Sequence, residues 1–180
     1  MSMKKKTTLS VAVAALIAAG ASAPQIAEQF LKEKEGYSST AYRDGSGIPT
    51  ICDGLISYQG KRVVMGMKLT DSQCSAESQR QKKVGYEWID KNVPIVLNEP
   101  QKAAVFSFCY WNLGVTKCRE STFFKRLVNG DIKGACAAIT WWIKDRGRDC
   151  RLTKGQKDGC YGQVERRAQE SELMCWDSIK

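Results

Sequence analysis

Glu35, Asp44 and Thr50 form the grouping in this sequence with the clearest chemical potential. Eight residues separate the two carboxylates, and five separate Asp44 from the threonine. Inverting hydrolysis of a glycoside needs one carboxylic acid to protonate the leaving oxygen and another group to direct water to the opposite face of the sugar. The types and spacing therefore suit glycosidase chemistry, with Glu35 as the acid. Asp44 could orient a water or stabilise positive charge on the sugar, and the Thr50 hydroxyl could hold the same water.

The elements around this grouping are predicted to be a helix and then tight hairpins. Apolar residues recur at helical spacing over residues 25–35, which predicts an amphipathic helix that Gly36 ends. Glu35 would lie in its last turn at the edge of the buried face, a position that suits a general acid. Residues 37–60 carry β-branched and aromatic residues between glycine-rich turns, and they predict a small hairpin-rich sheet.

The rest of the chain is predicted to be helical. Apolar periodicity indicates helices over residues 70–85, 99–113, 121–129, 132–143 and 162–176. Residues 99–113 are the most apolar of these and predict a buried central helix. Strands followed by helices predict an α+β fold, with a small N-terminal β-hairpin lobe, a larger helical lobe and a cleft between them.

The composition excludes several kinds of active site. The chain has no histidine, which removes Ser-His-Asp and Cys-His catalysis and the His-Glu-x-x-His zinc site. The net charge is +9, and the three lysines of residues 4–6 account for three of these charges, which leaves +6 for residues 24–180. Such a body favours anionic polymers, among them cell wall, anionic lipid and nucleic acid.

Eight cysteines are spread along the chain, and no two have Cys-x-x-Cys spacing. The spacing argues against a zinc ribbon or a thioredoxin-type site, and the even count predicts disulfides formed in an oxidising compartment. Cys150 and Cys160 are the closest plausible pair. The other pairings stay open, because eight cysteines allow 105 arrangements.

Residues 1–23 have the features of an export segment, which leaves residues 24–180 as the catalytic domain. A basic stretch precedes a weakly apolar run, and Ala21-Ser22-Ala23 has the form of a leader-peptidase site. Residues 7–23 are also just long enough to anchor in the inner membrane, and Pro24 makes cleavage after Ala23 unfavourable. A cleaved signal and a retained anchor both remain open, and both place the body on the periplasmic side.

Blocks of sequence along the body resemble the phage-type lysozymes, the T4-like endolysin family. The resemblance covers roughly residues 28–176. It is carried by Glu35-Gly36, Tyr42-Arg43-Asp44, Pro49-Thr50-Ile51, Trp111-Asn112-Leu113-Gly114, Cys118-Arg119-Glu120-Ser121-Thr122 and Gly162-Gln163-Val164-Glu165-Arg166-Arg167. One departure is Cys52-Asp53-Gly54-Leu55, where many relatives have Gly-x-Gly-His, and this puts a local salt bridge in doubt rather than the activity.

The resemblance implies a lysozyme-like fold and hydrolysis of the β-1,4 bond between N-acetylmuramic acid and N-acetylglucosamine in bacterial peptidoglycan, leading to host cell lysis. It assigns the acid to Glu35 and the water to Asp44 and Thr50. Trp111, Ser121 and Thr122 correspond to substrate-binding positions. A monomer is expected, without metal or cofactor. Several relatives carry an uncleaved signal-anchor-release segment, which favours the retained anchor at the inner membrane before release into the periplasm.

Two other functions remain to be distinguished. A lytic transglycosylase cuts the same bond with a glutamate and no water, but Asp44 and Thr50 at this spacing argue against it. A secreted lysozyme-like protein that only binds is disfavoured by the intact set of three residues. No nucleic-acid-binding motif is present, so nucleic acid is not expected as a partner.

Overall fold

The structure is a computed structural model that describes residues 7–45 and 47–177. The basic residues 1–6 and Ser46 of the predicted turn lie outside these ranges. Helices and short antiparallel sheets make up the described chain, which confirms the predicted α+β fold. The chain divides into two compact units. The smaller unit is Phe30–Trp88, and the larger unit comprises the residues on either side of it, up to Gln29 and from Ile89 onward. The predicted cleft stays a prediction.

Eight α-helices and three two-stranded hairpins are found in the described residues. The α-helices are α1 Val11–Ala18, α2 Ala23–Lys34, α3 Asp71–Asn92, α4 Glu99–Val105, α5 Val115–Glu120, α6 Thr122–Val128, α7 Ile132–Ile139 and α8 Tyr161–Met174. A π-helix, Phe106–Leu113, continues α4, and a 3-10 helix spans Cys150–Thr153. The strands are β1 Ser38–Arg43, β2 Pro49–Cys52, β3 Ser57–Tyr58, β4 Lys61–Arg62, β5 Lys144–Asp145 and β6 Arg148–Asp149.

The smaller unit packs two hairpins, β1–β2 and β3–β4, against α3. The Cys52–Cys74 disulfide joins the end of β2 to the first turn of α3. One turn farther along α3, the Ser78 hydroxyl donates to the Asp53 carboxylate at 2.7 Å. The Gln81 side chain of α3 donates to the Ser57 carbonyl of β3 at 3.1 Å. The predicted hairpin-rich sheet is therefore two separate small sheets, each bonded to α3.

Helix α3 extends past Gly85, where the sequence predicted its end. Ile89 is 1% exposed, so an apolar residue one turn beyond the glycine is still buried. Burial of this kind outweighs the roughly 1 kcal/mol that a glycine costs inside a helix. The helix continues to Asn92.

The larger unit is built around α4 and the π-helix, which confirms the predicted buried helix over residues 99–113. Asn98 caps α4 with a reciprocal pair of hydrogen bonds to Gln101. Phe108 of the π-helix lies edge-on to Phe123 of α6, with ring centroids 4.9 Å apart, and packs in the same way against Trp142. These aromatic contacts join three parts of the larger unit into one core.

A buried ion pair links α8 to this core. The Glu170 carboxylate is fully buried and accepts hydrogen bonds from the Ser107 hydroxyl, at 2.6 Å, and from the Arg167 guanidinium. Arg167 also donates to the Asn112 side chain and lies over the Phe108 ring. Burial lowers the pKa of Arg167, and the charge of Glu170 opposes that shift. Removing either partner would leave the other charge buried and unpaired.

All eight cysteines form disulfides, which confirms the prediction from their number and spacing. The pairs are Cys52–Cys74, Cys109–Cys118, Cys136–Cys175 and Cys150–Cys160, the last as predicted. Three of the four lie within the larger unit.

The N-terminal segment, residues 7–23, contains the short helix α1, which is separate from α2. Helix α1 ends at Ala18, Gly20 adopts a positive φ of 73°, and α2 begins at Ala23. Leu9 and Val13 are buried in the larger unit, whereas Val11 is exposed. No helix among the described residues is long and apolar enough to cross a membrane.

Loss of the Cys136–Cys175 bridge should destabilise the protein more than loss of Cys150–Cys160. The first closes a sequence separation of 39 residues and the second a separation of 10. On the chain-entropy account the difference is about 1 kcal/mol, within a total of about 2–4 kcal/mol for each bridge. Thermal unfolding of the two paired Cys→Ser variants measures both losses. A melting temperature of the native chain that stays constant in strong reductant would contradict the disulfide assignment.

Candidate active site

Glu35 follows the last residue of α2. Its backbone N–H donates to the Leu31 carbonyl at 2.8 Å, so the helical hydrogen-bond pattern extends to Glu35 although the helix ends at Lys34. Leu31 is 4% exposed and anchors this last turn, while Glu35 is half-buried. The expected place in the last turn is thus confirmed to within one residue.

Asp44 begins the loop that joins β1 to β2. Its Oδ1 accepts the Ile48 backbone N–H at 2.8 Å, and the two residues also pair through the Asp44 N–H and the Ile48 carbonyl at 3.0 Å. Beside them, the Arg43 guanidinium donates to the Gly47 carbonyl at 2.8 Å. These bonds fix the orientation of the Asp44 carboxylate at the start of the β1–β2 loop, as predicted for a turn aspartate.

Thr50 lies on β2 and is buried, with 3% of its surface exposed. Its hydroxyl donates to the Ile48 carbonyl at 3.0 Å, so the Oγ1 lone pairs remain to accept a hydrogen bond from a water. Two residues farther on, Cys52 has a φ of 59° and is bonded to Cys74. The disulfide thus holds the end of the strand that carries Thr50.

Tyr42 is a further residue of this site that the sequence analysis treated only as part of a motif. It is the cross-strand partner of Thr50 in the β1–β2 hairpin. Burial raises the pKa of the Tyr42 phenol, and the negative charges of Glu35 and Asp44 raise it further. Both carboxylates therefore lie close enough to the Tyr42 phenol to raise its pKa. Strand alternation within Tyr42-Arg43-Asp44 was the signal that could have identified it.

The predicted substrate-binding residues lie in the larger unit. Trp111 is half-buried at the end of the π-helix, 5.9 Å from the Phe106 ring. Ser121 is 5% exposed and caps α6, because its hydroxyl donates to the Cys118 carbonyl and accepts the Phe124 N–H. Thr122 follows it and is exposed. Ser121 therefore has a structural role here, and sugar binding by the three residues stays a prediction.

No metal centre is found in residues 7–45 and 47–177, where no three Cys, Asp or Glu side chains are grouped to hold an ion. Two carboxylates and a hydroxyl, held by a helix end and a hairpin, can transfer a proton and orient a water.

A model of the phage lysozyme family matches residues 32–170, a span that contains Glu35, Asp44 and Thr50. The chain belongs to the phage lysozyme family. It is thus a glycoside hydrolase that acts on peptidoglycan, and its role is that of an endolysin with muramidase activity.

Individual relatives agree with the family match. The chain is 59% identical to the SAR-endolysin of Escherichia phage N15 over 97% of its own length and 98% of the relative. Among solved structures it is similar to an endolysin of the Escherichia coli phage FAHEc1, with 29% identity and a TM-score of 0.66 over 82% of this chain and 89% of that one. The active form of the P1 phage endolysin Lyz shares the fold at 17% identity, with a TM-score of 0.66 over 98% and 99% of the two chains.

Ser121→Ala should destabilise the protein by about 1 kcal/mol, because the substitution removes the N-cap of α6. Its KM for peptidoglycan should stay unchanged if the hydroxyl serves only the helix. Thr122→Ala is a control for stability alone, since its side chain is exposed and its melting temperature should change little. Thermal unfolding and turbidity clearing of purified cell walls measure the two effects. A raised KM for Ser121→Ala at full stability would instead place its hydroxyl on the substrate.

Proposed function

We propose that this phage lysozyme hydrolyses its substrate by inversion, with Glu35 as general acid and with Asp44 and Thr50 holding the attacking water. The observation that carries the proposal is the local geometry of the smaller unit. Glu35 extends α2, Asp44 opens the β1–β2 loop, and Thr50 lies opposite Tyr42 on the paired strand. The electrostatic effect of both carboxylates on Tyr42 supports their proximity.

The proposed reaction is a single displacement at the anomeric carbon of N-acetylmuramic acid. The Glu35 carboxyl gives its proton to the glycosidic oxygen as the bond from that oxygen to the anomeric carbon breaks. A water attacks the same carbon from the opposite face, and Asp44 takes the proton that the water loses. Loss of the Asp44 proton to solvent and uptake of one by Glu35 restore the starting state.

Thr50 is proposed to fix the position of the water. Its hydroxyl proton is engaged with the Ile48 carbonyl, so its oxygen would accept a hydrogen bond from the water. Ile48 also donates its N–H to Asp44, and one residue of the loop therefore orients both groups. Positioning of this kind lowers the barrier because the water is already aligned when the bond begins to break.

Substrate contact is proposed for Trp111, Ser121 and Thr122. The half-buried Trp111 ring could stack on a sugar face, and the exposed Thr122 hydroxyl could bond an N-acetyl group. For Ser121 the remaining capacity is one acceptor lone pair, because its cap already uses the other two interactions. A monomer without nucleic-acid partners is expected to perform this reaction.

Glu35→Gln should abolish wall lysis and Asp44→Ala should reduce it severely, both in a folded protein. Glutamine cannot supply the proton, and alanine cannot accept one from water; general acid–base groups contribute about 10²–10⁴-fold each. The measurement is mass spectrometry of peptidoglycan digested by the native chain and both variants. Folding is checked by circular dichroism and melting temperature.

The products also test the mechanism. Water attack leaves a reducing end, and inversion leaves it first as the α-anomer, which proton NMR resolves before mutarotation. Anhydro-muramyl products would make the protein a transglycosylase. A β-anomer would exclude inversion, and near-native lysis by Asp44→Ala would remove that residue from the mechanism.

We further propose that residues 1–23 are retained as a signal-anchor-release segment, first at the inner membrane and later in the periplasm. The phage N15 relative is named a SAR-endolysin, which supports this. So does the burial of Ala23, whose backbone N–H donates to the Glu99 carboxylate. The peptide bond after Ala23 would therefore lie in the first turn of α2, beside a buried residue. Host lysis and phage release would follow once the body is free.

Contacts of the N-terminal segment support a docked place for it in the released protein. The Glu172 carboxylate on α8 accepts the Thr8 backbone N–H at 2.7 Å and the hydroxyls of Thr7 and Thr8. Gln169, one turn earlier, donates to the Thr8 carbonyl at 2.6 Å. Leu9 and Val13 are buried beyond these bonds. When the weakly apolar segment leaves the bilayer, these hydrogen bonds and this burial would replace its contacts with lipid.

Glu172→Ala should increase the fraction of full-length protein retained on the membrane. The bonds to Thr7 and Thr8 are exposed, so their loss should cost about 1 kcal/mol, or about a fivefold shift. Membrane fractionation measures the shift, and Glu165→Ala is the control because Glu165 is an exposed glutamate on the same helix. Thr8→Val combined with Glu172→Ala should be less than additive. Additive effects, or equal effects of both glutamate variants, would contradict the docking.

A further inference from the structure

The segment of residues 144–158, here called the basic loop, concentrates positive charge. It contains six cations and three acids, and it therefore carries +3. The cations are Lys144, Arg146, Arg148, Arg151, Lys154 and Lys157, and the acids are Asp145, Asp149 and Asp158. Half of the +6 net charge of residues 24–180 is thus placed in 15 residues, which the proposed catalytic mechanism does not use.

The basic loop begins with the β5–β6 hairpin. Asp145 pairs with Arg148 across the two strands, so the turn consists of Arg146 and Gly147. Both have positive φ, 49° and 82°, which is the geometry of a tight two-residue hairpin turn. Arg146 therefore stands at the tip of the hairpin, where it is exposed.

A fixed frame supports the rest of the basic loop. The Cys150–Cys160 disulfide closes it, and the Thr153 hydroxyl donates to the Cys150 carbonyl at 2.8 Å and accepts the Cys160 N–H at 2.9 Å. Gly159 leaves no room for a side chain, since a Cβ there would lie 2.4 Å from the Thr153 carbonyl oxygen. Cys150 and Thr153 are buried in the loop, and all six cations are exposed.

Some of these cations are occupied within the loop and others are not. Arg151 forms an ion pair with Asp149, and Arg148 binds the Asp145 carboxylate and the Asp158 carbonyl. Lys144 lies opposite Asp149 in the hairpin, and Lys154 lies over the Tyr161 ring. Among the residues that the structure describes, Arg146 and Lys157 have no such acidic or aromatic partner and form no ion pair. Two cations on a rigid frame are therefore available to an external anion.

We propose that the basic loop is an accessory binding surface for the free carboxylates of the peptides in peptidoglycan. A guanidinium at a fixed hairpin tip suits a carboxylate, because its planar fork can donate two parallel hydrogen bonds. The rigid frame lowers the entropy lost on binding. The inference rests on peptidoglycan being the substrate and deepens the proposed function, since it names a part of the polymer that the sugar chemistry does not touch.

The composition of the loop favours a carboxylate polymer over a lipid surface. Leu152 is the one large apolar side chain in the loop that is strongly exposed. Binding at a membrane interface needs a larger apolar face beside the cations. A carboxylate polymer needs only the cations, and its repeating charges permit many weak contacts that keep the enzyme on the wall between cleavages.

The test measures binding separately from cleavage. Full-length protein carrying Glu35→Gln is sedimented with purified sacculi at low salt and at 0.15 M salt. In this background, Arg146→Gln with Lys157→Gln is compared with Lys91→Gln with Lys133→Gln, which removes the same charge from exposed positions on α3 and α7. The loop variant should bind about threefold to tenfold more weakly at low salt, the control less than twofold, and salt should reduce the difference.

Sacculi whose carboxylates have been converted to amides provide the second arm, on which the two variants should bind equally. Equal binding of the variants on native sacculi, or a persisting difference on amidated sacculi, would overturn the proposal. A third outcome would also overturn it: all variants bind sacculi equally, but the protein binds phosphatidylglycerol vesicles and Leu152→Ser abolishes that binding. Reducing-end release by the chain with native Glu35 is assayed in parallel, so that a failure of the muramidase assignment is seen separately.

Discussion

The buried carboxylate of Glu170 is the constraint on which the larger unit depends. A negative charge with no exposed surface is stable only if cations and donors surround it, and Arg167, Arg166 and Ser107 do so. Since Ser107 belongs to the π-helix and both arginines to α8, the charge fixes the register of one helix against the other. Breaking such a pair costs about 3–5 kcal/mol, which is a large part of the stability of a domain.

The smaller unit is organised by a different device, a covalent one. The β-strands of this unit are two to six residues long, and short hairpins are marginal in water. Cys52–Cys74 and the Ser78–Asp53 hydrogen bond attach the end of β2 to the 22-residue helix α3. Attachment to α3 thus fixes the strand that carries Thr50. The Thr50 hydroxyl can therefore hold one position although its sheet is very small.

Sequence reasoning predicted the local parts of the site well. Glu35 at a helix end, Asp44 in a turn and Thr50 on the next strand follow from the periodicity before Gly36 and from the glycines around residue 45, both of which act over a few residues. Strand alternation could have indicated Tyr42, but its pairing with Thr50 could not be derived in this way, because it depends on the register of the two strands. The role of Ser121 as a helix cap was also missed, because capping a helix and binding a sugar both require a hydroxyl side chain.

The errors in the fold have tertiary causes. Helix α3 passes Gly85 because Ile89 is buried, and α5, which was not predicted, is held by the Cys109–Cys118 bridge rather than by its six-residue sequence. Helix α7 stops at Ile139 because the chain enters a turn before Trp142, whose ring packs on Phe108. Burial, a disulfide and an aromatic contact thus decide where these helices form or end, and local propensity is a weak guide.

The complete pairing of the cysteines has a consequence for kinetics. Thiols and imidazoles are the side chains that ordinarily change charge between about pH 5.5 and 8.5. This chain has no histidine, and all eight of its cysteines are bridged. A bend in the pH–rate profile of the folded enzyme between about pH 5.5 and 7.5 would therefore report a carboxyl group displaced by its surroundings, with no imidazole or thiolate to imitate it.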